Sequence, residues 1–284
     1  MILARIKQAF IDQANFFVAL PALVWQFGFL WLPLCFVLYV AFYSPTSDYT
    51  LQFIQAVTDN VHLTVVVRSL ILALTNALIC LVLAYPVAYT IAFRAGRYKQ
   101  AALFFVTLPF WINLLVQFYA WLHVLSFDGI LNTLLMSAGI ISTPLLIMNS
   151  MTAVLIVMVQ SYLPFMILPL YTAFEKFDRR LIEASLDLGA SRSQTFMRVT
   201  FPLTLSGAQV GFFLVFVMSF GEYVIPTLMA GGKHLFVGTL ISNYFVVGRQ
   251  LQLGAAFTLV SAVLLVFALG ICAIAFIGLR KGAR

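Results

Sequence analysis

Six apolar runs, each long enough to cross a bilayer, leave this chain little choice of solvent. They cover about residues 17–43, 64–93, 101–125, 146–173, 203–229 and 254–279. A spanning helix needs about 20 residues, and several runs exceed that, which implies tilt or extension beyond the hydrocarbon. The runs are continuous rather than alternating, unlike barrel strands. In lipid the backbone groups must be paired within the segment, so the runs are helices. Only 9% of the residues are charged, against about 25% in soluble domains. The expectation is an all-α integral membrane protein forming a single transmembrane domain over residues 1–284.

Lys and Arg set the orientation. Arg5 and Lys7 precede the first run, and Arg94, Arg97 and Lys99 follow the second. Lys176, Arg179, Arg180, Arg192 and Arg198 lie after the fourth, and Arg280, Lys281 and Arg284 after the sixth. The other side holds Lys233 and Arg249, with Arg68 near the outer end of the second run. The positive-inside bias therefore places both termini and the loop of about 175–202 in the cytoplasm. Asp48, Asp59 and Asp128 fall in the opposite loops. The net charge of +7 marks a membrane side and not a nucleic-acid surface, since no soluble basic domain exists to carry one. The first run is too long for a signal-peptide core and has no A-x-A ending, so it reads as an uncleaved anchor. Cys35, Cys80 and Cys272 sit inside apolar runs without metal spacing and read as small hydrophobes. His62, His123 and His234 have no spacing that suggests a metal or a proton relay. The stretch HLFVGTLISNYFVV, 234–247, is apolar but too short to span, which suggests an interfacial or re-entrant segment.

The loop of about 175–202 is the polar exception. Asp178 is placed to cap a helix in which Leu181, Ala184, Ser185 and Leu188 share one small, weakly apolar face. Arg179 and Glu183, four apart, form a potential pair on the polar side. Gly189 suits the left-handed position that ends a helix. Ser191 and Gln194 have capping-box spacing for a second helix, and Pro202 is expected to close the passage. Local pattern leaves two readings open: a helix pair covering its own protein at the membrane surface, or a knob entering a partner's groove.

The passage EASLDLGASRSQTFMRVTFPLT, 183–204, resembles the EAA loop of binding-protein-dependent ABC importers. The matching positions are Glu183, Ala184, Ser185 in place of Ala, Gly189, Ala190, Phe196, Val199, and Phe201 in place of Leu before Pro202. The segments 108–135, 162–191 and 220–232 are similar to permeases of spermidine/putrescine-type importers. The resemblance implies a type I ABC permease of the bacterial inner membrane, with the loop as coupling helices seated on a cytoplasmic ATPase. Its implied partners are a homologous second permease, two ATPase copies, a periplasmic polyamine-binding protein and membrane lipid, with no nucleic acid. It also implies that this chain is a transport subunit and no enzyme: ATP and Mg belong to the partner ATPase. GGKH at 231–234 lacks the spacing of a phosphate-binding loop. An ion-coupled transporter would need more intramembrane ionisable groups than this chain offers.

For polyamine transport, Glu222 is the leading path candidate, an acidic residue expected well inside the fifth span, where a carboxylate is costly. Counted from the loop it lies about 28 Å up that span, near the outer mouth. It is placed either to meet an ammonium group or to pair with Arg68, which is expected at similar depth. Trp111, Tyr119, Trp121, Tyr162 and Tyr223 are aromatic candidates for the path, with lipid anchoring as the alternative for each. Asp128 is a further candidate, within FDGI, which also reads as a loop turn. No residue is assigned a catalytic role or a metal.

Overall fold

The structure, a computed structural model, describes residues 20–42 and 59–282. Arg5, Lys7, Asp48 and Arg284, and with them the expected uncleaved anchor's leading segment, lie outside the described residues. Among those described, six helical stretches are long and apolar enough to cross a membrane: Leu20–Phe42, Asn60–Phe93, Leu114–Ser137, Met151–Glu175, Arg192–Phe220 and Leu251–Gly278. We label the helices α1 (Leu20–Phe42), α2 (Asn60–Phe93), α3 (Lys99–Thr107), α4 (Leu114–Leu125), α5 (Ile130–Ser137), α6 (Met151–Glu175) and α7 (Arg180–Asp187). They continue as α8 (Arg192–Phe220), α9 (Val224–Met229), α10 (Val237–Val247) and α11 (Leu251–Gly282).

Two of these stretches depart from the sequence-based boundaries. The run expected over 101–125 is interrupted: Pro109 lies in a 3-10 turn, Leu108–Trp111, after which Ile112 is extended. Asn113 then accepts the Leu115 N–H at 2.9 Å and starts α4. A short amide side chain satisfies an orphan donor better as a cap than inside a helix. The run expected over 203–229 begins earlier, at Arg192, and stops at Phe220. Pro202 does not close the passage. It sits in the first turn of the α-helical part of α8, directly after a π turn, Phe196–Thr200, in which the Phe201 N–H reaches the Phe196 carbonyl. The proline's missing donor thus falls where the hydrogen-bond register is already changing.

The chain forms two compact units. The larger comprises Asn60–Asn243 and Ser261–Arg284 and is built on α2, α6 and α8, each packed on the other two. Helices in lipid gain little from burying apolar surface against one another and associate through close packing and interhelical hydrogen bonds. Both are present. Gly207 and Gly211 of α8 carry the small-xxx-small spacing, a signal the sequence reading passed over. A Cβ on Gly207 would lie 2.5 Å from the Ala173 Cβ and 2.7 Å from the Pro169 carbonyl oxygen. One on Gly211 would lie 2.8 Å from the Met166 sulfur. On α2, Ala73, Ala77, Ala84 and Ala88 are fully buried. Asn76 donates to Ser219 at 2.7 Å, and the Tyr85 and Thr204 hydroxyls meet at 2.8 Å, tying α2 to α8 near the end of α8 and near its middle.

Shorter elements close the end of this unit opposite residues 94–99. Buried Asn132 donates to the Phe127 and Leu145 carbonyls and accepts the Leu145 N–H, holding α5 and the 140–145 segment together. The first turn of α10 packs on α2, with the Val237 N–H donating to Ser69 Oγ at 2.9 Å. In the smaller unit, the Gln250 N–H closes onto the Tyr244 carbonyl at 2.9 Å, and the Tyr244 ring meets Phe257 edge-on.

Overpacking a close helix contact costs about 1–3 kcal/mol, so Gly207→Val should lower the thermal midpoint of the detergent-solubilised protein. Val210→Leu, on the exposed side of α8, should leave it unchanged in the same measurement.

Candidate functional site

The polar loop folds as a short helical hairpin. Asp178 Oδ1 accepts the Arg180 N–H at 3.0 Å at the start of α7. After Asp187 the chain reverses at Gly189, whose φ is +82°. Ser191 and Gln194 form a reciprocal capping box that starts α8. The Ser185 hydroxyl meets Thr195 Oγ1 at 3.0 Å, bridging the two arms. Thus the serine that departs from the EAA pattern supplies a cross-link that alanine lacks. No residue of α7 is buried. Leu181, Ala184 and Leu188 are exposed, Leu188 at 89%, while Ile182 and Ser185 turn partly inward. The single face expected for Leu181, Ala184, Ser185 and Leu188 is therefore split, with the serine serving the hairpin itself.

Side chains on the inner side connect the hairpin to the bundle. The expected Arg179–Glu183 pair does not form among the described residues. Arg179 instead donates to the Ala92 carbonyl at 2.7 Å, with its guanidinium 5.0 Å from the Phe93 ring centre. The last turn of α2 leaves carbonyls without helical partners, and a cation there is favoured by the helix dipole as well. Phe196 and Phe174 both pack edge-on against Tyr85, and Phe201 lies beside them. Lys99 pairs with Glu175 at 2.5 Å, and this bond holds the lysine above its usual range. Both partners are substantially exposed, so the pair contributes little to stability.

At the other end of α8 the helix stops, and Glu222 lies in the break before α9, not inside a span. Its Oε1 accepts the Val224 and Ile225 N–H groups at 2.8 and 3.3 Å, capping α9. Its Oε2 accepts a hydrogen bond from the Tyr162 hydroxyl of α6. Pro226 falls in the first turn of α9, where a missing N–H costs nothing. The backbone is crowded here: a Cβ on Gly238 would lie 2.5 Å from the Gly221 carbonyl oxygen.

Glu222, Tyr162 and Tyr223 line a cavity of about 640 Å³ with Phe110, Gln117, Ser161 and Phe165. Of the other candidates, Trp111 points away, 81% exposed, and Tyr119 is also exposed. Trp121 donates to Gln160 at 3.1 Å and lines a separate hollow. Asp128 is exposed in the turn between α4 and α5. Arg68 makes no salt bridge to Glu222 and lines a different groove, with Thr64 and Leu155. Ser161, Gln117 and Phe165 were missed. No local pattern marks them, although buried Gln117 and partly buried Gln160 in apolar runs are the kind of polar residue that demands a partner, and they bond to each other at 2.7 Å.

Six apolar helical stretches and the packed α2–α6–α8 core define the fold of an ABC transporter permease. A chain of the bacterial alginate ABC transporter, solved in complex with an alginate pentasaccharide-bound periplasmic protein, superposes with a TM-score of 0.77. The superposition covers 93% of this chain and 94% of that one at 17% identity. The chain belongs to the family of binding-protein-dependent transport system inner membrane components, whose model matches residues 81–280; it is thus a multi-pass inner-membrane protein and a transport component. The spermidine/putrescine transport system permease protein PotB of Haemophilus influenzae is 37% identical over 85% of this chain and 86% of its own length. PotB of Escherichia coli is also 37% identical, over 82% and 86%. The inner membrane ABC transporter permease protein YdcU of Escherichia coli is 30% identical over 88% and 86%.

Loss of an N-cap side chain costs about 1 kcal/mol. Ser191→Ala should therefore speed hydrogen exchange at the Arg192–Gln194 amides severalfold, measured by mass spectrometry, with exchange in the middle of α6 unchanged.

Proposed function

We propose that this chain forms half of the transmembrane path of a polyamine importer, paired with a homologous permease. Two copies of a cytoplasmic ATPase, which bind ATP and Mg, drive it, and a periplasmic binding protein delivers putrescine or spermidine. Both termini and the 175–202 hairpin face the cytoplasm. The observation that carries the proposal is the hairpin itself: two capped, joined helices on which Leu181, Ala184 and Leu188 are exposed among the described residues. Exposed leucines beside Glu183, Gly189 and Ala190 suit a cleft on another subunit. The inner side, through Phe196, the π turn and Pro202, would pass a push directly into α8.

Polyamine cargo is supported by the spermidine/putrescine names of the PotB relatives and by the carboxylate at the far end of that helix. Glu222, Tyr162 and Tyr223 are the proposed path residues of this chain. Trp111, Tyr119, Trp121 and Asp128 join them only where the second permease completes the lining. A permease for a different small solute would share the hairpin but not respond to polyamine.

Uptake of labelled putrescine and spermidine into cells, with and without this chain and with the other subunits present, tests the proposal. Uptake should require the chain, and in vesicles should require ATP and stop with vanadate. Persistence of uptake without ATP would favour an ion-coupled carrier. A β-branched residue at the φ of Gly189 is strained by at least about 1–2 kcal/mol. Gly189→Val should accordingly reduce uptake about tenfold or more at normal membrane abundance while ATP hydrolysis continues. Unchanged uptake by that variant would remove the hairpin from the coupling role.

A further inference from the structure

The cavity beside Glu222 joins one carboxylate to a wall of hydrocarbon. Ile112, Leu115 and Met218 line it with Phe110 and Phe165, and among the described residues Glu222 is its one acidic lining residue. The carboxylate is held from three directions, by the Val224 and Ile225 N–H groups and by the Tyr162 hydroxyl. An ionised carboxylate has about four acceptor positions, so at least one remains for a further donor. A second group in the same lining is unsatisfied: Ser161 is 7% exposed, and among the described residues its hydroxyl has no hydrogen-bond partner. A buried hydroxyl in that state is costly unless something supplies the partner. Aromatic faces add attraction for a cation, and about 640 Å³ falls within the range of small-molecule sites, about 300–1,000 Å³.

We infer that this cavity is a binding site within the permease itself for one terminal ammonium of an aliphatic amine. Glu222 serves as counter-ion, Ser161 as a second acceptor, and Phe110, Phe165 and Met218 pack on the methylene chain. The identity of the physiological amine rests on the polyamine-importer reading, but the site makes a claim of its own. One carboxylate recognises one end of the ligand, so the cavity does not distinguish a diamine from a monoamine of the same chain length. That distinction falls to whatever delivers the cargo. Putrescine and n-butylamine share a four-carbon chain and a primary ammonium and should both bind; n-butanol has the chain without the charge and should not.

The test uses the assembled complex in lipid nanodiscs, without the binding protein, and measures direct binding of tritiated putrescine and tritiated n-butylamine. Both should bind, each should displace the other, and n-butanol should displace neither. Glu222→Gln keeps an amide oxygen for the Val224 and Ile225 N–H groups, so α9 stays capped, while the counter-charge is lost. Loss of a charge-assisted hydrogen bond should weaken binding of both amines about tenfold or more. Ser161→Ala should weaken binding by a smaller factor and decides the matter if the Gln variant fails to assemble. Absence of amine binding, displacement by n-butanol, or wild-type affinity in the assembled variants would overturn the inference. If cells take up putrescine through this chain yet the nanodisc complex binds neither amine, the inference falls and the importer reading stands. If cells take up no polyamine but n-butylamine binds and Glu222→Gln abolishes it, the reading falls and the site stands.

Discussion

Close contact between α6 and α8 governs the rest of the molecule. Where Gly207 and Gly211 cross Pro169, Ala173 and Met166 there is no room for a side chain, and the two backbones lie against each other. Between helices in lipid, this kind of fit replaces the hydrophobic drive available in water. With α2 hydrogen-bonded across the same helix through Asn76 and Tyr85, α8 is held at Thr204 and at Ser219. Both candidate sites, the hairpin and the Glu222 cavity, lie at the two ends of that helix.

The two ends share a construction. At the basic end, α8 begins in a capping box and a π turn, with α7 folded back on it at Gly189. At the opposite end it stops at Phe220, and the carboxylate of Glu222 takes over the orphan N–H groups of the next helix. In each place, local hydrogen bonds rigidify a helix break and leave chemistry facing outward: exposed leucines at one, a partly used carboxylate at the other. One helix, α8, with its π turn near the start, runs from the hairpin to within two residues of Glu222. Tyr162 bonds that carboxylate from α6, so the far end is also sensitive to how α6 and α8 sit together.

The legible parts of the sequence were those decided by nearest neighbours. Gly189 and the Ser191/Gln194 box involve residues within a few positions of one another, and their geometry follows from backbone sterics and short side chains. The membrane class followed from run length, since lipid forces the backbone to satisfy itself. Pro202 was misread because a proline's effect depends on the register of the preceding turn, and nothing in the residues announces a π turn. The break at Asn113 was missed because composition is equally apolar on both sides of it. Arg179 was assigned to Glu183 by spacing, yet a carbonyl 87 residues earlier, at the end of α2, holds it instead.

The chain's own residues therefore determined its solvent, the number of long apolar helices, the side rich in positive charge and the shape of the hairpin turn, all set by interactions spanning a few residues or by the bilayer's thickness. Tertiary structure alone decided that Glu222 meets Tyr162 and not Arg68, that Ser161 beside them has no partner among the described residues, and that Ser185 locks the hairpin through Thr195. Those outcomes depend on which faces of distant helices meet, and the glycines of α8 set that by steric exclusion, which periodicity does not encode.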